Sequence, residues 1–161
     1  MFAKRSTDVT WDDMKTNNLI MIGKPEADPT ISRWLAKGKF MEVGGHIQNL
    51  YPAQGEPSEW VDHADPVDSP QNWAEKYALI TMLAGPETGN WVMSMTGSGS
   101  EHPWVMANYF THPENAKDFI RHLRFPSGKL PAAYQVVVRA EFKAQAPVKV
   151  GYVAHRSLDT P

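Results

Sequence analysis

One glycine-rich segment carries the residues best suited to holding a ligand. They follow an apolar stretch, precede a helical pattern that begins with a proline, and comprise Thr96, Gly97, Ser98, Gly99 and Ser100. A strand, a glycine loop and a helix start in this order turn backbone N–H groups and a helix dipole toward one point. The segment therefore predicts a site for a small anion such as phosphate or carboxylate. The alternative is a plain connection, because the segment matches neither the P-loop nor the three-glycine dinucleotide fingerprint.

Two short groupings of carboxylates and histidines offer acid–base or metal chemistry. Asp62, His63 and Asp65, together with Asp68, form the first grouping, and Glu101 with His102 forms the second. General-base catalysis and catalytic metals use these side chains, but aspartates in a proline-rich loop more commonly form turns. The chain has no His-Glu-x-x-His motif and no nucleophile elbow. We therefore predict no metal, no cofactor and no catalytic set, and a small hydrolase or isomerase using one of these pairs is the second hypothesis.

Tryptophan is more abundant than a core of this size needs. The chain has six tryptophans, and Trp60 and Trp73 fall in an otherwise polar stretch that also holds His63. Buried tryptophans would anchor this stretch to the body of the fold, whereas exposed ones would mark a partner-binding surface. Anchoring is the first interpretation, and a partner surface formed by these three residues is the second.

Length and composition limit the class of protein. A chain of 161 residues with 42% hydrophobic and 21% charged residues has the size and balance of one globular domain. Its formal net charge of −2 supplies no positive field for a phosphate backbone, so direct nucleic-acid binding is not expected. The absence of cysteine excludes thiolate catalysis and fits a reducing compartment. No secretory leader or membrane-spanning stretch is recognisable, so we expect a cytoplasmic protein without a membrane partner.

Apolar runs predict the strands of a sheet. Residues 18–23 and 76–86 are nearly unbroken apolar runs, which indicates strands buried on both faces at the centre of the sheet. Residues 91–96 follow as a neighbouring strand. Residues 134–143 and 148–156 alternate between apolar and polar side chains, which predicts an antiparallel hairpin at a sheet edge.

Two further stretches are less regular. Residues 40–51 have strand character but are interrupted by Gly44 and Gly45, which indicates a bulge or a hairpin turn. Residues 52–72 are rich in Pro, Asp, Ser, Glu and Gln, so we expect a long surface loop without regular structure.

Helical spacing appears in three places. Residues 31–37 predict a short helix, and residues 103–110 and 113–124 predict two longer ones, the first with proline in its opening turn. Thr111 is the expected cap of the last helix. His122 near the end of that helix is expected to be solvated or to cap it.

These elements predict an α/β fold made of one domain. Its central sheet is mixed, two or three helices flank the sheet, and an antiparallel hairpin closes the chain. Residues 1–17 are predicted to be an N-terminal lead or linker, and residues 18–158 to form the domain.

Several of these segments also resemble a known group of domains. Residues 19–25, 77–83, 90–101 and 136–156 together resemble an uncharacterised C-terminal module of bacterial winged-helix regulators and tetratricopeptide-repeat proteins. The resemblance implies an accessory sensory or interaction domain rather than an enzyme, because no catalytic residues come with the group.

Three functional hypotheses follow. The first is a non-catalytic sensory, ligand-binding or protein-interaction domain, whose partner is a small anion or a protein. The second is the enzyme with a carboxylate–histidine pair. The third is an oligomerisation domain, in which the edge of the C-terminal hairpin at residues 148–154 pairs with a second copy.

Overall fold

Helices and strands alternate irregularly along the chain. The computed structural model describes residues 3–4, 8–23, 33–35, 37–64, 73–87, 89–97, 102–124, 128–143 and 146–159. Within these ranges the helices are α1 (Trp11–Thr16), α2 (His102–Thr111) and α3 (Pro113–Leu123). The strands are β1 (Leu19–Ile22), β2 (Phe40–Val43), β3 (His46–Asn49), β4 (Glu59–Val61), β5 (His63–Ala64), β6 (Trp73–Ala84), β7 (Trp91–Gly97), β8 (Tyr134–Lys143) and β9 (Ala146–Ser157).

Six of these strands form the main sheet. Their order is β1-β7-β6-β8-β9, with β5 paired to the start of β6. β1 runs parallel to β7, whereas the other neighbouring pairs are antiparallel. β2, β3 and β4 form a separate small antiparallel sheet. The described residues thus form a single α/β domain, and the predicted fold class with its C-terminal hairpin is confirmed.

The positions of the two apolar strands differ from each other. β6 lies between β7 and β8, so its predicted central position is confirmed. The prediction that residues 18–23 form a central strand is wrong, because β1 is an edge of the sheet that the described residues form. Met21 is only 7% exposed on one face, but Ile20 and Ile22 on the other face are 56% and 58% exposed. An unbroken apolar run therefore marks a strand without showing that both of its faces are covered.

One face of the main sheet is covered by α2 and α3. The residues buried between them form the largest core cluster, which includes Ala78, Ile80, Met95, Val105, Met106, Tyr109, Phe119, Leu123, Tyr134, Val136, Val138, Ala140 and Phe142. Both helices agree with the prediction, but the predicted cap does not. The Thr111 hydroxyl donates to the Ala107 carbonyl, 2.8 Å away, and His112 is the N-cap, without a capping side-chain bond. Pro113 in the first position fixes where α3 begins.

The small sheet packs on the opposite face. Gly44 and Gly45 join β2 to β3 with φ angles of 58° and 98°, as a two-residue hairpin turn requires, so the hairpin alternative is correct. Residues 52–72 are not devoid of regular structure, because β4 and β5 lie within them. These strands are too short for a periodic pattern to reveal them.

A single buried amide ties the two sheets together. The Oε1 atom of Gln135 on β8 accepts from the backbone N–H groups of Lys39 and Phe40 at 2.6 and 2.8 Å. Its Nε2 atom donates to the Phe40 carbonyl at 2.9 Å and to the Thr81 hydroxyl at 3.1 Å. Gln135 is fully buried, so its side chain substitutes for a neighbouring strand at the start of β2.

The first helix lies against the edge strand. Thr10 and Asp13 form a capping box at the start of α1, and Met14 is fully buried in a cluster with Met21 and Val92. Of the predicted helix over residues 31–37, residues 33–35 are helical, and residues 31, 32 and 36 lie outside the described residues. None of the helices in the described part of the chain has the length and apolarity that a membrane crossing requires.

Candidate functional site

The glycine-rich segment begins where β7 ends. Thr96 lies opposite Leu79, and Gly97 lies opposite Ala78. The Thr96 hydroxyl is 3.5 Å from the Leu79 carbonyl oxygen. Ser98, Gly99 and Ser100 lie outside the described residues, so the anion site at this segment stays a prediction.

Lys76 is buried at the same end of the sheet. Lys76 is only 2% exposed. It lies on the same face of the sheet as the core residues Ala78 and Ile80. A buried ammonium needs hydrogen bonds or opposite charge around it. Sequence reasoning missed this lysine, although the two-residue period through Ala78, Ile80 and Met82 carries the signal. Its charge lies near the strand end from which the glycine-rich segment departs.

The partner surface predicted from Trp60, His63 and Trp73 stays a prediction. Trp60 on β4 is 8% exposed, and its ring meets Phe40 edge to face with centroids 5.5 Å apart. His63 is exposed on β5, and Trp73 begins β6 opposite Ala64. Trp60 therefore anchors the small sheet, while His63 faces solvent.

The predicted carboxylate–histidine pairs find little support. The Asp62 carboxylate accepts the backbone N–H of Tyr77 at 2.8 Å, which gives Asp62 a structural role at β6. Its neighbour His63 is exposed. Asp65 and Glu101 lie outside the described residues. Across the described ranges, no three His, Asp or Glu side chains are grouped as a metal site would need.

A groove with both polar and apolar lining opens where α2 turns into α3 beside the start of β9. Its volume is about 340 Å³, and we call it the corner groove. The residues that line it are Asn108, His112, Glu114, Asn115, Pro147, Val148, Lys149 and Val150. Sequence reasoning missed it because its two walls are more than thirty residues apart in the chain, and only the packing of α3 on β9 brings them together.

The corner groove holds unused hydrogen-bonding capacity. The side chains of Asn108, His112 and Asn115 make no hydrogen bond to another described residue. The Lys149 ammonium is 69% exposed and lies 3.9 Å from the carboxylate of Glu141, a long contact with little energetic weight. Amide, imidazole and ammonium groups, each able to donate hydrogen bonds, therefore line the corner groove.

A second cluster of protic groups lies further along α3 and β9. The rings of His122 and Tyr152 stack in parallel, with centroids 3.8 Å apart. The Tyr152 hydroxyl is 2.7 Å from Nδ1 of His155, and Nε2 of His122 is 3.4 Å from the Asp118 carboxylate. His122 thus packs on β9 and is neither simply solvated nor a cap. We call His122, Tyr152 and His155 the histidine–tyrosine cluster.

Burial shifts the pKa of two members of this cluster, His155 and Tyr152. It lowers the pKa of His155, and the nearby charges of His122 and Arg156 lower that pKa further. Burial also raises the pKa of the Tyr152 phenol. A neutral imidazole and a protonated phenol hydrogen-bond to each other without either being activated as a nucleophile. The cluster therefore fastens α3 to β9.

Three comparisons with known proteins found no match for this chain. No family model, no curated protein and no solved structure matches this chain. The resemblance to the module of winged-helix and tetratricopeptide-repeat proteins stays a prediction. The function therefore rests on the chemistry of the residues described above.

Proposed function

We propose that this chain is a non-catalytic ligand-binding module that holds a small carboxylate- or phosphate-bearing molecule in the corner groove. One observation carries the proposal: Asn108, His112 and Asn115, without hydrogen-bond partners among the described residues, open on the same groove as the Lys149 ammonium. A few polar groups converging on a concave surface are typical of ligand sites.

The charges around the groove favour an anion. Glu114 is the acidic residue in the lining, and its carboxylate is 3.0 Å from the ammonium of Lys117. Lys149 adds a positive charge on the opposite wall. The first turn of α3 has no capping side chain, so the positive end of its dipole adds to the same field.

The shape of the groove suits a small organic molecule. Its volume of about 340 Å³ lies at the lower end of the range for ligand pockets, roughly 300–1,000 Å³. Pro147, Val148 and Val150 supply an apolar wall. An acid with a short hydrocarbon part would meet both the polar and the apolar lining.

The lining is more consistent with binding than with catalysis. A histidine acting as a general base is normally oriented by a second hydrogen-bonded group. His112 has no such partner among the described residues. A sensory role fits the resemblance to accessory domains of bacterial regulators, which implied binding without chemistry.

The test is a titration of the ¹⁵N-labelled chain with acetate, a short-chain dicarboxylate and inorganic phosphate, followed by amide chemical shifts. We expect saturable shifts at Asn108, His112, Asn115 and Lys149, and about 2.7 kcal/mol of added stability at a hundredfold excess over Kd. Lys149→Ala should weaken binding by about tenfold, because it removes the cation of the groove. Lys129→Ala, an exposed lysine elsewhere on the chain, is the matched control.

Two outcomes count against the proposal. Shifts that saturate at Thr96 and Gly97 instead would move the anion site to the glycine-rich segment. An absence of saturable shifts with all three probes would leave a protein partner as the better hypothesis.

A further inference from the structure

The two edges of the main sheet are built differently. β9 forms one edge and carries Pro147, the exposed Lys149 and two register shifts that leave Val148 and Val153 as extra residues. Proline, lysine and bulges are the features by which natural sheets prevent edge-to-edge pairing. The hairpin edge is therefore poorly suited to the oligomerisation predicted for it.

The β1 edge has none of these protections. Its four residues, Leu19–Ile22, contain no charge and no proline, and they pair with β7 in unbroken parallel register. Ile20 and Ile22 are both more than half exposed. They lie on the face of the sheet that carries α2 and α3, opposite Met93 and Met95. An uncharged edge strand with exposed isoleucines is the kind of edge that recruits another strand.

Backbone geometry shows which groups are open. The Gly23 N–H donates to the Met95 carbonyl at 2.9 Å, so alternate residues, Met21 and Gly23, direct their backbone groups toward β7. The N–H and C=O groups of Ile20 and Ile22 consequently point away from β7. No described strand pairs with them.

We propose that β1 pairs antiparallel with β1 of a second copy of this chain, about a two-fold axis at Met21. This register places Ile20 opposite Ile22 of the second copy and makes four backbone hydrogen bonds. The strand carries no charge, so a second copy meets no like-charge repulsion, and the two isoleucine pairs cover each other. The inference does not depend on the corner groove.

The interface is small, and the dimer is correspondingly weak. Two paired four-residue strands bury less than the roughly 1,200 Å² of a standard stable interface. We expect a monomer–dimer equilibrium between micromolar and millimolar concentration, visible by sedimentation equilibrium. As the dimer forms, amide exchange at Ile20 and Ile22 slows, while exchange along β9 does not change.

Single substitutions locate the edge. Ile20→Lys and Ile22→Glu each replace one member of both isoleucine pairs and should raise the dimer dissociation constant by about tenfold or more. Val148→Lys makes the same kind of change at an exposed residue of the other edge and should leave the constant unchanged. Circular dichroism checks that each variant is folded. We expect all of them to fold, because the substituted side chains are exposed.

A mixture of two variants tests the register. In the proposed pairing the introduced lysine of Ile20→Lys faces the introduced glutamate of Ile22→Glu. The two chains together should form a heterodimer that neither forms alone. A wild-type chain that stays monomeric at millimolar concentration, a dimer abolished by Val148→Lys, or variants whose mixture shows no heterodimer would each overturn the inference.

Discussion

The guanidinium of Arg156 donates to both carboxylate oxygens of Glu56, which lies 100 residues earlier in the chain. The carboxylate also accepts the Ala53 N–H at 3.0 Å and the Asn49 amide at 3.1 Å. The guanidinium lies 4.9 Å from the centroid of the Phe40 ring. This ion pair joins the end of β9 to the loop between β3 and β4.

Replacing Glu56 should weaken the fold in a pH-dependent way. The hydrogen bonds from Arg156 lower the pKa of Glu56 from 4.5 to about 2. Because the folded-state pKa is depressed, the carboxylate contributes stability above pH 4.5 and loses it as pH falls toward 2. Glu56→Gln should lower the free energy of unfolding by about 2 kcal/mol at pH 7, measured by urea unfolding, with a shrinking difference in acid.

The matched control for this prediction is Glu114→Gln. Glu114 pairs with Lys117, and both side chains are more than two thirds exposed, so its loss should cost less than about 0.5 kcal/mol. Equal losses for the two variants would mean that the pair between Glu56 and Arg156 gains nothing from its partial burial.

Gln135 should be among the most sensitive polar positions. Gln135→Leu keeps the volume but leaves buried groups of Phe40 and Thr81 without their partner. We expect a loss of about 3 kcal/mol in the free energy of unfolding. Gln48→Leu, on the outer face of the small sheet, should change it by less than about 0.5 kcal/mol. A small effect of Gln135→Leu would show that water replaces the amide.

Gly38 should be coupled to the same amide. A Cβ atom at Gly38 would overlap the side-chain amide of Gln135, so Gly38→Ala should cost about 2 kcal/mol. In a Gln135→Ala background the obstacle is gone, and the same substitution should cost about 0.5 kcal/mol or less. Urea unfolding of the two single variants and the double variant measures this coupling, and purely additive losses would contradict it.

His155 should make stability depend on pH near neutrality. Burial lowers its folded-state pKa below 6.5, so the unfolded chain takes up a proton first as pH falls. Stability contributed by the neutral ring is therefore full above pH 6.5 and declines below it. His155→Gln should flatten the unfolding free energy between pH 5 and 7, relative to wild type. Urea unfolding across this pH range measures the slope, and a slope that His155→Gln leaves unchanged would contradict the prediction.

Replacing Tyr109 should increase the free energy of unfolding, whereas the substitutions above decrease it. Its ring is fully buried, and its hydroxyl has no hydrogen-bond partner among the described residues. Tyr109→Phe should raise the free energy of unfolding by about 1 kcal/mol, because it removes an unsatisfied polar group. Tyr152→Phe removes the hydrogen bond to His155 and should lower the free energy of unfolding by a similar amount. Thermal unfolding compares the two, and destabilisation by Tyr109→Phe would indicate a bound water at the hydroxyl.

The sequence predicted the parts of the fold that depend on local patterns. The alternation of β8 and β9, the breaks at Gly44 and Gly45 and the proline that begins α3 each act within a few residues, so these elements agree with the structure. The edge position of β1 could not be predicted in this way. Whether β1 is an edge depends on which parts of the fold cover Ile20, and the hydropathy of the strand does not show which parts these are.

The candidate site was less accessible to prediction for the same reason. The corner groove combines Asn108 with Lys149, and the histidine–tyrosine cluster combines His122 with Tyr152. Neither pair has a sequence motif, because their proximity results from the packing of α2 and α3 on β9.

The difference between the two edges of the main sheet also sets the size that an assembly can reach. A sheet that is open at both ends can add copies without limit, as fibrils do. In the main sheet that the described residues form, a copy that uses β1 has the proline- and lysine-bearing β9 as its other edge. If β1 pairs as proposed, we therefore expect growth of the main sheet by strand addition to stop at two copies.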